Sequence, residues 1–115
     1  MPNEWVWAIT LRVSAELVGM VGLTPDENPD AAELGYYINR RHWGLGIATE
    51  AGRLVVDYGI RVLGLRRITS GHFLGNPASG HVLSKLGFVR TGHSERPCLA
   101  RGASGLPSVE MHMVV

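Results

Sequence analysis

Cysteine is almost absent: Cys98 stands alone among 115 residues, so no internal disulfide can form and a bridge-stapled scaffold is excluded. The same scarcity removes a structural zinc site, which draws on several thiolates or on a Cys/His set at ligand spacing, and no metal is expected. Neither sign of charge prevails. Lys and Arg number 11 against 10 Asp and Glu, a net +1 with His neutral, which leaves no basic field of the kind that drives sequence-independent nucleic-acid binding. No nucleic-acid partner is expected. Long apolar runs are missing as well: none reaches the ~18 residues that span a bilayer, and Met1-Pro2-Asn3-Glu4 lacks the basic-then-apolar opening of a secretory signal. The expected setting is the reducing cytoplasm, with no membrane partner. An apolar share of 45% beside 18% charged residues excludes disorder, because that much burial offsets the ordering of the chain. At 12.5 kDa the expectation is a single domain over residues 1–115, with one core and one site.

What the chain has in excess is glycine, 15 residues, roughly twice its usual share of about 7%. Glycine serves where backbone turns tightly or meets a ligand. From Trp5 to Arg12 the residues alternate, with Trp5, Trp7, Ile9 and Leu11 on one face, which predicts a strand. After a short break at Ser14-Ala15, Leu17 to Leu23 predicts a second strand in a hairpin with the first, weakened locally by Gly19 and Gly22. A polar loop from Thr24 to Asp30 leads to a third strand, Glu33 to Asn39. The period then changes. Ile47, Ala51, Leu54, Val55, Tyr58 and Val62 recur at three- and four-residue spacing, predicting a helix from about Gly46 to Leu63 that Gly64 ends. Arg67 to Leu74 returns to strand, joined by a parallel crossover. Asn76 as N-cap, Pro77 at the first helical position and Gly87 as stop frame a second helix. Phe88 to Gly92 and Ser108 to Val114 predict the last strands, with a loop holding Cys98 between them. The order is β-β-β-α-β-α-β-β, a mixed α/β sheet.

Between the third strand and the long helix lies Arg41-His42-Trp43-Gly44-Leu45-Gly46-Ile47-Ala48-Thr49-Glu50-Ala51. Two glycines at a helix N-terminus bring bare backbone amides to the positive end of the helix dipole, which is an anion site. A P-loop requires a Lys after the second Gly, and none follows Gly46. The dinucleotide fingerprint requires Gly or Ala where Thr49 stands, and an acidic strand end some twenty residues on, which is also missing. A third form, Gln/Arg-x-x-Gly-x-Gly/Ala, is matched by Arg41, Gly44 and Gly46. It resembles the pyrophosphate loop of the GNAT N-acetyltransferase superfamily. Around it, Glu33-Leu34-Gly35-Tyr36-Tyr37-Ile38, Trp43 to Ala51, Asn76-Pro77-Ala78-Ser79 and Leu83-Ser84-Lys85-Leu86-Gly87-Phe88 resemble, in order, the ribosomal-protein N-terminal acetyltransferase (RimJ/RimL-like) branch. The likeness runs from about Trp5 to Val115.

The resemblance implies the GNAT fold, with the two helices on opposite faces or flanking splayed strands, and transfer of acetyl from acetyl-CoA to a primary amine. The acceptor is a protein N-terminus or a small amine. It implies that Tyr36, Tyr37 and Ile38 offer backbone groups to the pantetheine arm, that Arg41, Gly44, Leu45, Gly46, Ile47, Ala48 and Thr49 seat the pyrophosphate, and that Asn76 lies near the pantetheine. Ser79 would protonate the leaving thiolate, and Glu33 would act as general base directly or through water. Each has a plainer reading: Asn76 as an N-cap, Ser79 as a small packing residue, Glu33 as a solvated strand-edge carboxylate. His42, His72, His81, His93 and His112 are scattered and read as surface or core residues. Arg66 and Arg67 reach the CoA 3′-phosphate or form a solvated face, and Cys98 has no activating neighbour.

Two departures stand out. Many members carry a Tyr acid in the second helix where this chain has Leu83. Members also carry a strand and a helix pair before the segment equivalent to Trp5, which predicts apolar surface bared near Trp5 or Trp7 and a homodimer that covers it. A non-catalytic acyl-CoA-binding module and a purely structural domain are the rival readings. Acceptor choice falls to the N-terminal strand and helix pair that members carry and to the Thr24 to Asp30 and Arg96 to Pro107 loops.

Overall fold

The computed structural model describes residues 4–73, 77–98 and 103–115. Strands β1 (Trp5–Thr10), β2 (Leu17–Pro25) and β3 (Ala31–Ile38) precede helix α1 (Ile47–Arg61), and β4 (Arg67–Phe73), helix α2 (Pro77–Leu86), β5 (Val89–Cys98) and β6 (Ala103–Val114) follow. The element order is the one the sequence predicts. All six strands form one sheet in the order β1-β2-β3-β4-β6-β5. Its pairs are antiparallel except β3 with β4, which run parallel across α1.

Alternation along the strands decides what the sheet buries. In β1, Trp5, Trp7 and Ile9 turn to the helices while Val6, Ala8 and Thr10 face out. Trp7 meets Tyr58 of α1 edge-on, with ring centroids 5.3 Å apart at 74°. The apolar side chains bared on the other face therefore include Val6, Met20 and Tyr37, while Trp5 and Trp7, the expected sites of bared surface, pack against the core. Val21, Leu23, Ala32, Leu34, Ile68, Val109 and Met111 of the sheet pack with Val55 and Val56 of α1 and Leu83 and Leu86 of α2 into one core.

Both helices lie on the same face, which corrects the expectation that they could straddle the sheet. Ile68 and His72 share a face of β4, and Ile68 sits beneath Gly59 of α1 while His72 sits beneath Gly80 of α2. The cause is chirality. The β3-α1-β4 and β4-α2-β5 crossovers both advance in the same direction along the sheet, and right-handed crossovers that advance together put their helices on one side.

The parallel pair is short. β3 and β4 pair only from Ala31↔Arg67 to Glu33↔Thr69, then part, and the Ser70 hydroxyl donates across the opening to the Leu34 carbonyl at 2.9 Å. At the far edge, β5 and β6 are longer than predicted. Their pairing continues through Ser94↔Ser108 to Cys98↔Ala103, so most of the Arg96 to Pro107 segment belongs to a hairpin instead of a loop. Its prolines suggested a loop, yet both sit where the ladder tolerates them. Pro97 falls at an irregularity in the edge strand, and Pro107 lies beyond the last β4 pair, Phe73↔Ser108.

Candidate active site

Where β3 and β4 part, a cleft of about 210 Å³ opens, lined by Thr24, Glu33, Leu34, Gly35, Tyr36, Ser70, Gly71 and Ser79. Three residues singled out in the sequence, Glu33, Tyr36 and Ser79, meet here although they come from β3 and α2. Tyr36 Oη lies 2.6 Å from Ser79 Oγ, a short hydroxyl–hydroxyl hydrogen bond across the cleft. Burial pushes the Tyr36 phenol above its usual value of 10.0, and the bond to Ser79 pulls it partly back. The phenol therefore keeps its proton throughout the neutral range.

Antiparallel pairing alternates which residues of β3 turn their backbone groups to β2. The Tyr37 carbonyl points at Gly19 of β2, and Asn39 N–H donates to the Val18 carbonyl at 2.8 Å. Leu34, Tyr36 and Ile38 therefore turn their backbone groups toward the opening. The Leu34 carbonyl is taken by Ser70, and the Ile38 carbonyl accepts the Trp43 indole N–H at 2.8 Å. Tyr37 instead has its ring exposed on the open face. This narrows the expected backbone contacts of the third strand to Tyr36 and Ile38.

From Ile38 the chain passes through a single 3-10 turn, Arg40–His42, to the glycine loop. Gly44 has φ 79° and Gly46 φ 78°, the left-handed region that disfavours a Cβ, and Gly46 is the N-cap of α1 with no side-chain cap. The first helical bond runs from Glu50 N–H to the Gly46 carbonyl at 3.0 Å, so the N–H groups of Ile47, Ala48 and Thr49 have no acceptor inside the helix. Open space surrounds the positions where Cβ atoms would stand at Gly44 and Gly46. That cradle fits a phosphate by its amides, its dipole and its room. Trp43 braces it, with the Arg40 guanidinium 5.7 Å over its ring, while Arg41 and Leu45 are exposed beside it.

Other candidates lie elsewhere. Arg66 and Arg67 are exposed at the start of β4, beside Ala31, and the length of β3, roughly 23 Å at about 3.3 Å per residue, separates them from the glycine loop. Only their solvated reading holds. His72 is buried under α2, and His81 and His93 are exposed. His42 and His112 each bury a ring Nδ1 that has no hydrogen-bond partner among the described residues. Asn76 lies outside the described residues. Thr24, which opens the loop assigned to acceptor choice, lines the cleft, and Ser70 and Gly71 line it without having been singled out. The one sequence mark for Ser70 is a serine at a core-facing strand position, where it is 3% exposed. No helix among the described residues is long and apolar enough to cross a membrane, and none of their His, Cys, Asp and Glu side chains gather into a group that could hold a metal.

A family model described as the acetyltransferase (GNAT) domain matches residues 1–89 of the chain. The chain belongs to the GNAT family. Among its relatives, the uncharacterized N-acetyltransferase YoaA of Bacillus subtilis is 40% identical over 87 residues, which are 75% of this chain and 49% of that protein. The uncharacterized N-acetyltransferase p20 of Bacillus licheniformis is 34% identical over the same shares. This GNAT chain thus spans about half the length of the curated relatives it matches. Solved structures share its fold. A chimera built on the spermidine N-acetyltransferase SpeG of Vibrio cholerae aligns with a TM-score of 0.83 at 24% identity, covering 97% of this chain and 68% of that one. The ribosomal-protein-S5-alanine acetyltransferase of Vibrio fischeri aligns with a TM-score of 0.86 at 21% identity, covering 96% and 61%. Within this GNAT chain, Leu83 is fully buried in the core, so α2 presents no ionisable group to the cleft at that position.

Proposed function

We propose that this GNAT domain transfers acetyl from acetyl-CoA to a primary amine by direct attack of the amine nitrogen on the thioester, without a covalent enzyme intermediate. The observation that carries the reading is the continuity of β3. One strand brings Glu33 and Tyr36 to the cleft, and its end leads into the glycine cradle. The amides of Gly44 to Thr49, with Arg41 beside them, hold the pyrophosphate. The Tyr36 backbone and the Ile38 N–H extend the β3 edge to the pantetheine amides, in the manner of an added strand. The cleft fixes the thioester against the incoming amine, so that proximity supplies much of the rate. Glu33, on the cleft wall, takes the amine's proton directly or through one water, and Ser79 gives a proton to the departing sulfur.

Acceptor preference follows from the resemblance to the ribosomal-protein branch. A protein N-terminus is the first acceptor to try, and a polyamine the second, since one structural neighbour is built on a spermidine N-acetyltransferase. The test is calorimetric titration with acetyl-CoA, followed by steady-state CoA release with N-terminal peptides and polyamines. Micromolar binding with turnover supports the enzyme; binding without turnover of any amine supports the acyl-CoA-binding module instead. Ser79→Ala is expected to lower kcat by about 100-fold, within the range for a positioned acid, while acetyl-CoA affinity stays within about twofold. Unchanged kcat removes Ser79 from the mechanism.

The open sheet face favours self-association. Val6 is 50% exposed, Met20 49% and Tyr37 64% on adjoining strands, and such a patch favours a homodimer. Light scattering at micromolar concentration is expected to return twice the chain mass. A monomeric mass rejects the dimer. Cytoplasmic residence completes the reading.

A further inference from the structure

Resting on the acetyltransferase reading, we propose that Tyr36 is a positioning residue for the leaving-group step: its phenol holds Ser79 Oγ and passes it a proton as Ser79 gives its own to the sulfur.

The two hydroxyls come from different elements, β3 and α2, 43 residues apart, and meet at 2.6 Å on the wall of the cleft. Such a separation is at the short end for an O–H···O bond. It fixes the Ser79 rotamer from outside α2. The Tyr36 ring packs against the core cluster, so the phenol is anchored at its base and free to act only at its tip. A serine hydroxyl alone is too weak an acid to leave an alkoxide behind in the cleft. Coupled to a phenol, it never has to, because the proton it loses to sulfur is replaced along the Tyr36 bond in the same motion. The buried Leu83 removes the alternative of an acid from one turn further along α2.

The step balances without an outside reagent. The amine nitrogen forms the new C–N bond and the C–S bond breaks, its electron pair going to sulfur. Sulfur takes the Ser79 proton, Ser79 Oγ takes the Tyr36 proton, and the proton shed by nitrogen through Glu33 or cleft water returns to the Tyr36 oxygen. Protection of the neutral phenol by burial agrees with this role. At neutral pH the pair begins each cycle loaded.

Tyr36→Phe keeps the ring and its packing and removes only the hydroxyl. Expected is a loss of about 10- to 100-fold in kcat, at the lower end for a positioned acid, with KM for acetyl-CoA within about twofold. Because the two residues act as a unit, the double variant Tyr36→Phe with Ser79→Ala is expected to be no slower than Ser79→Ala alone. A proton inventory in mixed H2O and D2O is expected to curve for the parent chain, with two protons in flight, and to straighten in Tyr36→Phe. Parent-like kcat in Tyr36→Phe, or losses that multiply in the double variant, overturn the proposal. A readout that needs no substrate separates its failure from that of the activity reading. Ring-labelled tyrosine NMR follows the Tyr36 phenol titration, and Ser79→Ala is expected to raise it by removing the bond that stabilises the phenolate. A Tyr36 signal indifferent to Ser79→Ala overturns the coupled pair, whatever the turnover, whereas a parent chain inert toward every amine fails the activity reading alone.

Discussion

Gly46→Val is expected to weaken acetyl-CoA binding by about 100-fold or more, read by calorimetry. Two effects act together. Gly46 sits at φ 78° as the N-cap of α1, where an L-residue costs roughly 1–2 kcal/mol and a β-branched one more. The valine side chain would also enter the open space beside Gly46, next to the helix N-terminus whose free amides would hold the phosphate, and hydrogen bonds from such donors to a charged acceptor contribute about 1.5–3 kcal/mol each. Loss of one such bond together with the strain accounts for the factor. The control is Gly64→Val. Gly64 has φ 70° and open space around it, so the substitution carries the same kind of backbone strain at the opposite end of α1, away from the cradle. It is expected to lower stability while leaving acetyl-CoA affinity within about twofold. Equal loss of affinity in both variants would mean that backbone strain, not phosphate contact, explains the Gly46 result.

The second large effect is on stability. Leu83→Ala is expected to cost about 3 kcal/mol, within the range of roughly 2–5 for a buried leucine that leaves a cavity. Leu83 is 0% exposed and packs in the cluster shared by α1, α2 and the sheet. At about 4–8 °C per kcal/mol for a domain near this size, the melting temperature is expected to fall by roughly 12–24 °C in a thermal scan. Leu54→Ala is the comparison. Leu54 is 69% exposed on the outer face of α1, and its removal is expected to change stability by no more than about 0.5 kcal/mol. A small effect at Leu83 would mean that α2 docks more loosely than the core packing implies, and with it the wall that carries Ser79.

Much of this protein was legible along the chain because the relevant signals are local. The period-2 alternation of Trp5, Trp7 and Ile9, the helical spacing from Ile47 to Val62 and the glycine stop at Gly64 each follow from backbone geometry over a few residues. The left-handed glycines of the loop belong to the same class, since a positive φ is a local demand. Signals that depend on partners were read less well. Pro97 and Pro107 suggested a loop because proline cannot join a ladder on both sides, and only the sheet order shows that one lies at an edge irregularity and the other beyond the end of β4. The expected role of Tyr36 was a backbone contact, and the bond of its side chain to Ser79 was not foreseen.

The element order, the family and the left-handed glycine loop ahead of α1 are each written in contiguous residues, whose conformational preferences act over a turn or a strand. Tertiary structure alone decided that both helices share one face, that the β3–β4 pairing stops at Glu33↔Thr69, and that Tyr36 Oη meets Ser79 Oγ. The physical reason is distance along the chain. A hydrogen bond between residues 43 positions apart depends on how far two strands splay and where a crossover sets its helix down, and both are properties of the whole packed sheet.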